Sequence, residues 1–124
     1  MHLLVWTKNL FMKQGEIWLV SLDPTLGSEI KKTRPAIIVN DNIIGRLPLK
    51  IIVPLTDWKD RYDQASWMVK LVPDPQNKLT KASSADCFQI RSVAEERLVK
   101  KWGQTDHATM VEIRKALSIV LSII

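Results

Sequence analysis

Five short segments between residues 15 and 93 have the composition of β-strands, and turn-forming residues separate each segment from the next. The segments are rich in β-branched and aromatic residues, and Asp23-Pro24 and Gly45 lie among the turn formers between them. The predicted strands cover residues 15–23, 35–40, 49–56, 66–72 and 85–93. Strands of this length and spacing are typical of a small barrel. The sequence therefore predicts a mainly β fold.

Smaller signals refine this pattern. Pro54 lies inside the third segment and predicts an edge strand or a bulge, because proline has no N–H to donate to a neighbouring strand. Ser92 and Glu95 match a capping box, which predicts a short helical turn after the fifth strand. We expect residues 98–102 to form one further strand.

The C-terminal segment has a different period. Its apolar residues recur at helical spacing: Met110, Ile113, Leu117, Val120 and Ile124. Either Thr105 or Asp106 is suited to cap the first turn. The sequence predicts one amphipathic α-helix at this end of the chain.

The length of the chain predicts one domain, because 124 residues can bury a single core. We expect an N-terminal extension at residues 1–14 and a single domain at residues 15–124. Four apolar residues of the extension are expected to pack against the protein or across a dimer interface: Leu3, Leu4, Val5 and Trp6.

Several classes of protein are disfavoured by composition. Cys87 is the only cysteine, and His2 and His107 lie far from it in sequence, so neither a disulfide nor a zinc site is expected. No apolar run approaches the roughly 18 residues that span a bilayer. We expect a cytoplasmic protein that uses no cofactor and does not cross a membrane.

Charge is concentrated in the segment GSEIKKTRP, residues 27–35, within a chain of net charge +5. Lys31, Lys32 and Arg34 accompany Glu29 there, and Thr56 ends an apolar strand elsewhere. This set of groups suits a phosphodiester. Without further information, solvated surface charges are an equally simple reading.

Among phosphodiesters, RNA can be cleaved with the fewest catalytic groups. Its 2′-hydroxyl is a built-in nucleophile, so an enzyme need only remove that proton, stabilise charge on phosphorus and assist the departing 5′ oxygen. Neither a metal nor a histidine is obligatory for this chemistry.

Four stretches resemble, in order and approximate spacing, the MazF/PemK family of toxin endoribonucleases from bacterial toxin–antitoxin systems. They are GEIWLVSLDPTLGSE, RPAIIVN, IIVPLT and FQIRSVAEERL. The resemblance implies a small SH3-like β-barrel, the CcdB/PemK-like fold, with a C-terminal helix and usually a homodimer. It also implies metal-independent cleavage of single-stranded RNA to 2′,3′-cyclic phosphate and 5′-hydroxyl ends, and neutralisation by a cognate antitoxin.

The resemblance also implies site residues. The catalytic pair of the family matches Arg34 and Thr56, and its loop glutamate matches Glu29. We expect Arg34 to stabilise the transition state, Thr56 to hydrogen-bond a phosphate oxygen and Glu29 to accept the 2′-hydroxyl proton. The residues expected to bind RNA are Ser28, Lys31, Lys32, Trp58, Lys59, Arg61 and Gln89.

Two departures and two alternatives accompany this interpretation. Phe88 stands where the family often has an acidic residue, and the segment before Met12 is additional. One alternative is the class of gyrase-poisoning toxins, which share this barrel; their Trp-Gly-Ile ending is replaced here by LSII. The other is a binding module without catalysis.

Overall fold

The computed structural model describes residues 12–44 and 47–123, and an antiparallel β-sheet of seven strands dominates it. The strands are β1 (Glu16–Ser21), β2 (Thr33–Ile38), β3 (Leu49–Asp57), β4 (Met68–Leu71), β5 (Ser83–Asp86), β6 (Arg91–Ala94) and β7 (Leu98–Gln104). One α-helix, α1 (His107–Val120), follows them. The predicted packing of Leu3, Leu4, Val5 and Trp6 lies outside the described residues.

The strand order is β4-β5-β3-β2-β1-β7, with β6 paired to β3 beside β5. Every pairing is antiparallel. Within the described part of the chain the hydrogen-bonded path runs from β4 to β7 without closing, in a barrel-like arrangement. The predicted mainly β fold with a C-terminal helix is confirmed.

Strand β3 is central, so the expectation of an edge strand at Pro54 is wrong. One side of β3 pairs with β2, and Pro54 lies opposite Ala36. The other side pairs with β6 up to Ile52 and with β5 from Leu55 onwards. Pro54, which has no N–H, therefore lies where β3 changes its pairing from β6 to β5. The sheet tolerates a missing hydrogen-bond donor at such a point.

The predicted fifth strand is interrupted. Asp86 ends β5, and its carboxylate accepts a hydrogen bond from the Phe88 amide at 3.2 Å, which starts a 3-10 turn at Cys87–Gln89. The capping-box interpretation of Ser92 is also wrong, because Ser92 lies in β6 opposite Ile51. The predicted short helical turn is confirmed at Glu95–Arg97, where Ala94 precedes it without a side-chain cap, and the predicted further strand is confirmed as β7.

Two apolar clusters stabilise the sheet, and neighbouring residues of one strand belong to different clusters. Ile37 of β2 is buried in the first, whereas Ala36 and Ile38 are buried in the second. This is the alternation expected when both faces of a strand are covered. The first cluster includes Met110, Ile113 and Ala116 of α1. The second includes Met12, Val20, Leu22, Ile52, Val93 and Leu98.

Helix α1 begins after Asp106, one of the two predicted caps. The Asp106 carboxylate accepts a hydrogen bond from the Thr109 amide at 2.7 Å. Bonds to Thr109 keep the pKa of Asp106 below its ordinary value. Met110 and Ile113 are buried as predicted, and Leu117 is half-buried beside the first cluster. The helix covers one face of the sheet.

Candidate functional site

Arg34 and Thr56 lie on two neighbouring strands, β2 and β3, and line the same cavity. The paired residues of β2 and β3 end at Ala36 opposite Pro54. Past this pair, β2 continues back through Arg34 and β3 continues on through Thr56, both at the same end of the two strands. Both side chains line one cavity of about 290 Å³, here called the Arg34–Thr56 cavity. Two residues separated by 22 positions in sequence therefore face the same space.

Cations predominate around the Arg34–Thr56 cavity. Lys32, Arg34 and Lys81 line it, and Asp57 is the one carboxylate among its lining residues. The Lys81 ammonium lies 3.0 Å from the Asp57 carboxylate, and both side chains are more than half exposed. Such a pair contributes little to stability and can exchange its partner for another anion. The cavity thus presents positive charge to a phosphate.

The segment that leads into Arg34 is fixed at its base. The Leu22 amide donates a hydrogen bond of 2.9 Å to the Lys32 carbonyl. Lys32 has φ of +71°, in the left-handed region that favours glycine. The Arg34 Nε atom donates a long bond of 3.4 Å to the Lys31 carbonyl, and Arg34 is half-buried. These contacts orient the guanidinium while leaving its terminal nitrogens accessible.

Glu29 lies at a second cavity. This cavity has a volume of about 500 Å³ and is here called the Gln89 cavity. Its lining residues are Leu22, Ser28, Glu29, Ile30, Pro54, Phe88, Gln89, Ile90 and Arg91. The Glu29 carboxylate is exposed and accepts a bond of 2.6 Å from the Leu26 amide. The predicted base is therefore placed apart from Arg34 and Thr56, in the neighbouring cavity.

The two cavities adjoin along the same segments of chain. Ile30 lines the Gln89 cavity and Lys32 lines the Arg34–Thr56 cavity. On β3, Pro54 faces the first and Thr56 the second. An extended ligand that crosses from one to the other would pass both Glu29 and Arg34.

The predicted RNA-binding residues fall into three places. Lys32 lies at the Arg34–Thr56 cavity, and Ser28 and Gln89 lie at the Gln89 cavity. Trp58 instead lines a groove beside α1, where the Lys70 ammonium lies 5.0 Å from the centre of its ring. Three others are exposed: Lys31, Lys59 and Arg61. Their contact with RNA stays a prediction.

The ring of Trp58 is already occupied by neighbours. Tyr62 meets it edge-on, with 5.8 Å between ring centres. The Arg61 guanidinium lies 5.5 Å from the centre of the Tyr62 ring. The segment after β3 is therefore a small cluster of rings and cations rather than an open stacking platform.

Two residues of the Arg34–Thr56 cavity were missed by sequence reasoning. Lys81 lies in a polar loop without a motif, and Trp102 reads as an ordinary core residue of a strand. The Trp102 indole donates a bond of 2.9 Å to the Lys78 carbonyl. Only the folding of this loop beside β3 brings Lys81 and Trp102 to the cavity, so sequence spacing gives no signal for either.

Cys87 is buried, as predicted for a small apolar residue. Burial, together with the Asp86 charge, raises the pKa of its thiol to about 12. Cys87 is therefore not a nucleophile at neutral pH.

Residues 12–44 and 47–123 contain neither a cluster of metal-ligating side chains nor a membrane-spanning helix. No group of three or more His, Cys, Asp or Glu side chains there is arranged to hold a metal ion. The same residues contain no helix long and apolar enough to cross a membrane.

The sequence of this chain matches a known family of proteins. Residues 13–121 match the model of the PemK-like, MazF-like toxins of type II toxin–antitoxin systems. Endoribonuclease MazF9 of Mycobacterium tuberculosis is 31% identical over 124 residues, which cover 90% of this chain and 98% of the relative.

Two solved structures share the fold. MazF from Deinococcus radiodurans superposes with a TM-score of 0.75 and 19% identity, over 90% of this chain and 96% of that one. An endoribonuclease in complex with its cognate antitoxin, from a mycobacterial species, has a TM-score of 0.68 and 20% identity over the same shares. The chain therefore belongs to the family of PemK-like, MazF-like toxins of type II toxin–antitoxin systems.

Proposed function

We propose that this toxin is a sequence-specific endoribonuclease that cleaves single-stranded RNA, messenger RNA included, without a metal. The 2′ oxygen attacks the adjacent phosphorus, and the bond from phosphorus to the 5′ oxygen breaks. The 2′-hydroxyl proton passes to a base, and the departing 5′ oxygen takes up a proton from water, so the products are a 2′,3′-cyclic phosphate and a 5′-hydroxyl. The names of related proteins support the activity, because MazF9 is an endoribonuclease with similarity along almost its whole length.

The observation that carries the proposal is that Arg34 of β2 and Thr56 of β3 line one cationic cavity. A guanidinium matches the geometry of a phosphate and strengthens its bonds as negative charge develops on the equatorial oxygens. A threonine hydroxyl donates to one of these oxygens. The two groups act from adjacent strands of a rigid sheet, so little reorganisation is needed during the reaction.

The base is proposed to be Glu29, which lies at the adjoining Gln89 cavity. RNA bound across both cavities would present its phosphate to Arg34 and a neighbouring ribose to the loop that carries Glu29. Lys31 and Lys32 would hold flanking phosphates, and Ser28 would contact the strand from the same loop. Lys59, Arg61 and Trp58 would extend the contact beyond Thr56.

The proposed partners are a second copy of the chain and an antitoxin, with action in the cytoplasm. One structural neighbour is in complex with its cognate antitoxin, which supports the second partner. An acidic, disordered antitoxin tail would complement Lys31, Lys32 and Arg34 and would compete with RNA.

The test is incubation of the purified protein with a long unstructured RNA in excess EDTA, followed by mapping of fragment ends. Arg34→Ala and Thr56→Ala are expected to abolish the discrete fragments. Arg34→Lys, which retains charge but loses the fork, is expected to lose most of the activity.

The matched control is Arg114→Ala, which removes an exposed arginine from α1. It should cleave like the parent. RNA left intact by the parent protein would overturn the proposal and favour a gyrase-directed or binding role, to be examined next by a gyrase cleavage assay.

A further inference from the structure

The side chain of Gln89 forms hydrogen bonds with the charged loop that contains Ser28 and Ile30. Its Oε1 atom accepts a hydrogen bond of 2.6 Å from the Ile30 amide, and its Nε2 atom donates a bond of 3.2 Å to the Ser28 carbonyl. Nε2 also donates a bond of 3.3 Å to the Asp86 carboxylate. Both amide hydrogens of Gln89 are therefore committed, and one lone pair of its oxygen is used.

Asp86 connects this contact to the rigid part of the sheet. It ends β5 and is 6% exposed, and its second oxygen accepts a bond from the Phe88 amide. Two residues earlier, Ser84 of β5 lies opposite Thr56 of β3. A continuous set of bonds therefore runs from the strand that carries Thr56, through Asp86 and Gln89, to the loop at Ile30.

The loop has few other attachments. At its base, Leu22 bonds to Lys32. The Glu29 carboxylate bonds to Leu26 within the loop itself. Thr25 bonds to the nearby Asp23, and Gln89 provides the hydrogen bonds that join Ser28 and Ile30 to the turn after β5. Loss of this side chain would leave the segment held at its ends and by the packing of Ile30 against the second apolar cluster.

We propose that Gln89 is a positioning residue, which with Asp86 fixes the loop of Glu29 at a set distance from Thr56. The inference deepens the proposed function and rests on it. A loop that is already ordered need not be ordered by RNA, so less binding free energy is lost when the substrate arrives. Gln89 then affects the cleavage of every RNA sequence equally and does not determine which nucleobase is recognised.

The first experiment compares Gln89→Met with Gln76→Met, a matched change at an exposed glutamine of the loop after β4. The methionine retains the size of the side chain but neither accepts from Ile30 nor donates to Ser28. Amide hydrogen exchange by NMR is expected to show Ile30 exchanging roughly fivefold faster or more in Gln89→Met. The Leu22 amide and the Gln76→Met protein should remain unchanged.

Cleavage provides a second readout, measured far below the unfolding midpoint of Gln89→Met and normalised to its folded fraction, so that a loss of folded protein does not contribute. Gln89→Met is expected to lower kcat/KM at every cleaved sequence by one common factor, roughly fivefold or more, with the same set of sites cut. A residue that reads a base would instead change which sites are cut.

An exchange of groups tests the Asp86 contact. Gln89→Glu places a second carboxylate beside Asp86 and removes the donor to Ser28, so Ile30 exchange should rise. Adding Asp86→Asn to Gln89→Glu supplies a new donor to position 89 and should restore part of the protection and of the cleavage rate. Rescue of this kind is expected of a positioning pair.

Three results would overturn the inference. They are unchanged Ile30 exchange in Gln89→Met, an altered set of cleavage sites in that variant, and a double variant no better than Gln89→Glu alone. A parent protein that cleaves no RNA would instead overturn the proposed function and the catalytic part of this inference. The Ile30 exchange rate tests the loop contact without reference to RNA.

Discussion

The Glu29 carboxylate accepts a hydrogen bond of 2.6 Å from the Leu26 amide, so the proposed base is also a structural part of its own loop. The Glu29 amide in turn donates to the Leu26 carbonyl at 3.1 Å. This double contact closes a tight turn and holds the carboxylate at the rim of the Gln89 cavity. One residue thus has two separable roles, acceptance of a proton and closure of a turn.

Glu29→Gln separates the two roles. The amide oxygen can still accept from Leu26, but a glutamine cannot take the 2′-hydroxyl proton. Single-turnover cleavage is expected to fall about a hundredfold. If Glu29 only closes the turn, Glu29→Gln would cleave like the parent and Glu29→Ala alone would be impaired.

The cavity that Arg34 and Thr56 share shows what a sequence of this kind can predict. Alternation and turn residues located β2 and β3, and the family motifs selected the two residues. Their register depends on pairing between distant strands, which periodicity does not determine. The contact between Gln89 and Ile30 is harder still to predict from the sequence, because it joins a loop and a turn separated by 59 positions. Lys81 reaches the site only through the course of its loop.

Lys32 carries a positive charge and has an unfavourable backbone conformation. Two substitutions separate the effects of these two properties. Its φ of +71° favours glycine, so Lys32→Gly should be more stable than Lys32→Ala by about 1 kcal/mol in urea unfolding. Both variants lose the cation. Under the proposed function, both should lower the slope of log Kd for single-stranded RNA against log salt by about 0.7. Unequal slopes would show that the backbone, not the charge, governs binding.

Gly103 is required by a close approach of two backbones. A Cβ atom there would lie 2.5 Å from the Asn77 carbonyl oxygen, next to the bond from the Gln104 amide to the Gln76 carbonyl. Gly103→Ala is expected to lower the free energy of unfolding by about 3 kcal/mol. Gly27→Ala is the control, since Gly27 has open space but φ of +55°, and should cost about 1 kcal/mol. Equal losses would contradict the steric explanation.

Cys87 is expected to be inert in the folded protein. Its thiol is buried, and its pKa of about 12 leaves almost no thiolate at pH 8. A disulfide reagent that reports released thiolate should react at the rate of unfolding, and fully only in denaturant. Rapid stoichiometric reaction of the native protein at pH 8 would contradict this burial.

Asp86 should give the stability of the protein a measurable dependence on pH. Burial raises the pKa of its carboxyl above the ordinary value of 3.8, and bonds from Phe88 and Gln89 offset part of that effect. Between 3.8 and the raised value, the folded protein binds more protons at this group than the unfolded chain does. The contribution of Asp86 to stability is therefore fully present below 3.8 and is lost as pH rises through the folded pKa.

Asp86→Asn removes this titration while retaining the size of the side chain. The free energy of unfolding of the parent minus that of Asp86→Asn is expected to increase as pH falls from 7 towards 3.8, measured by urea unfolding at closely spaced pH values. A difference that stays constant, or that decreases on acidification, would contradict the prediction. The Gln89→Met background removes one stabilising bond to the carboxylate, so the rise should begin there at a higher pH.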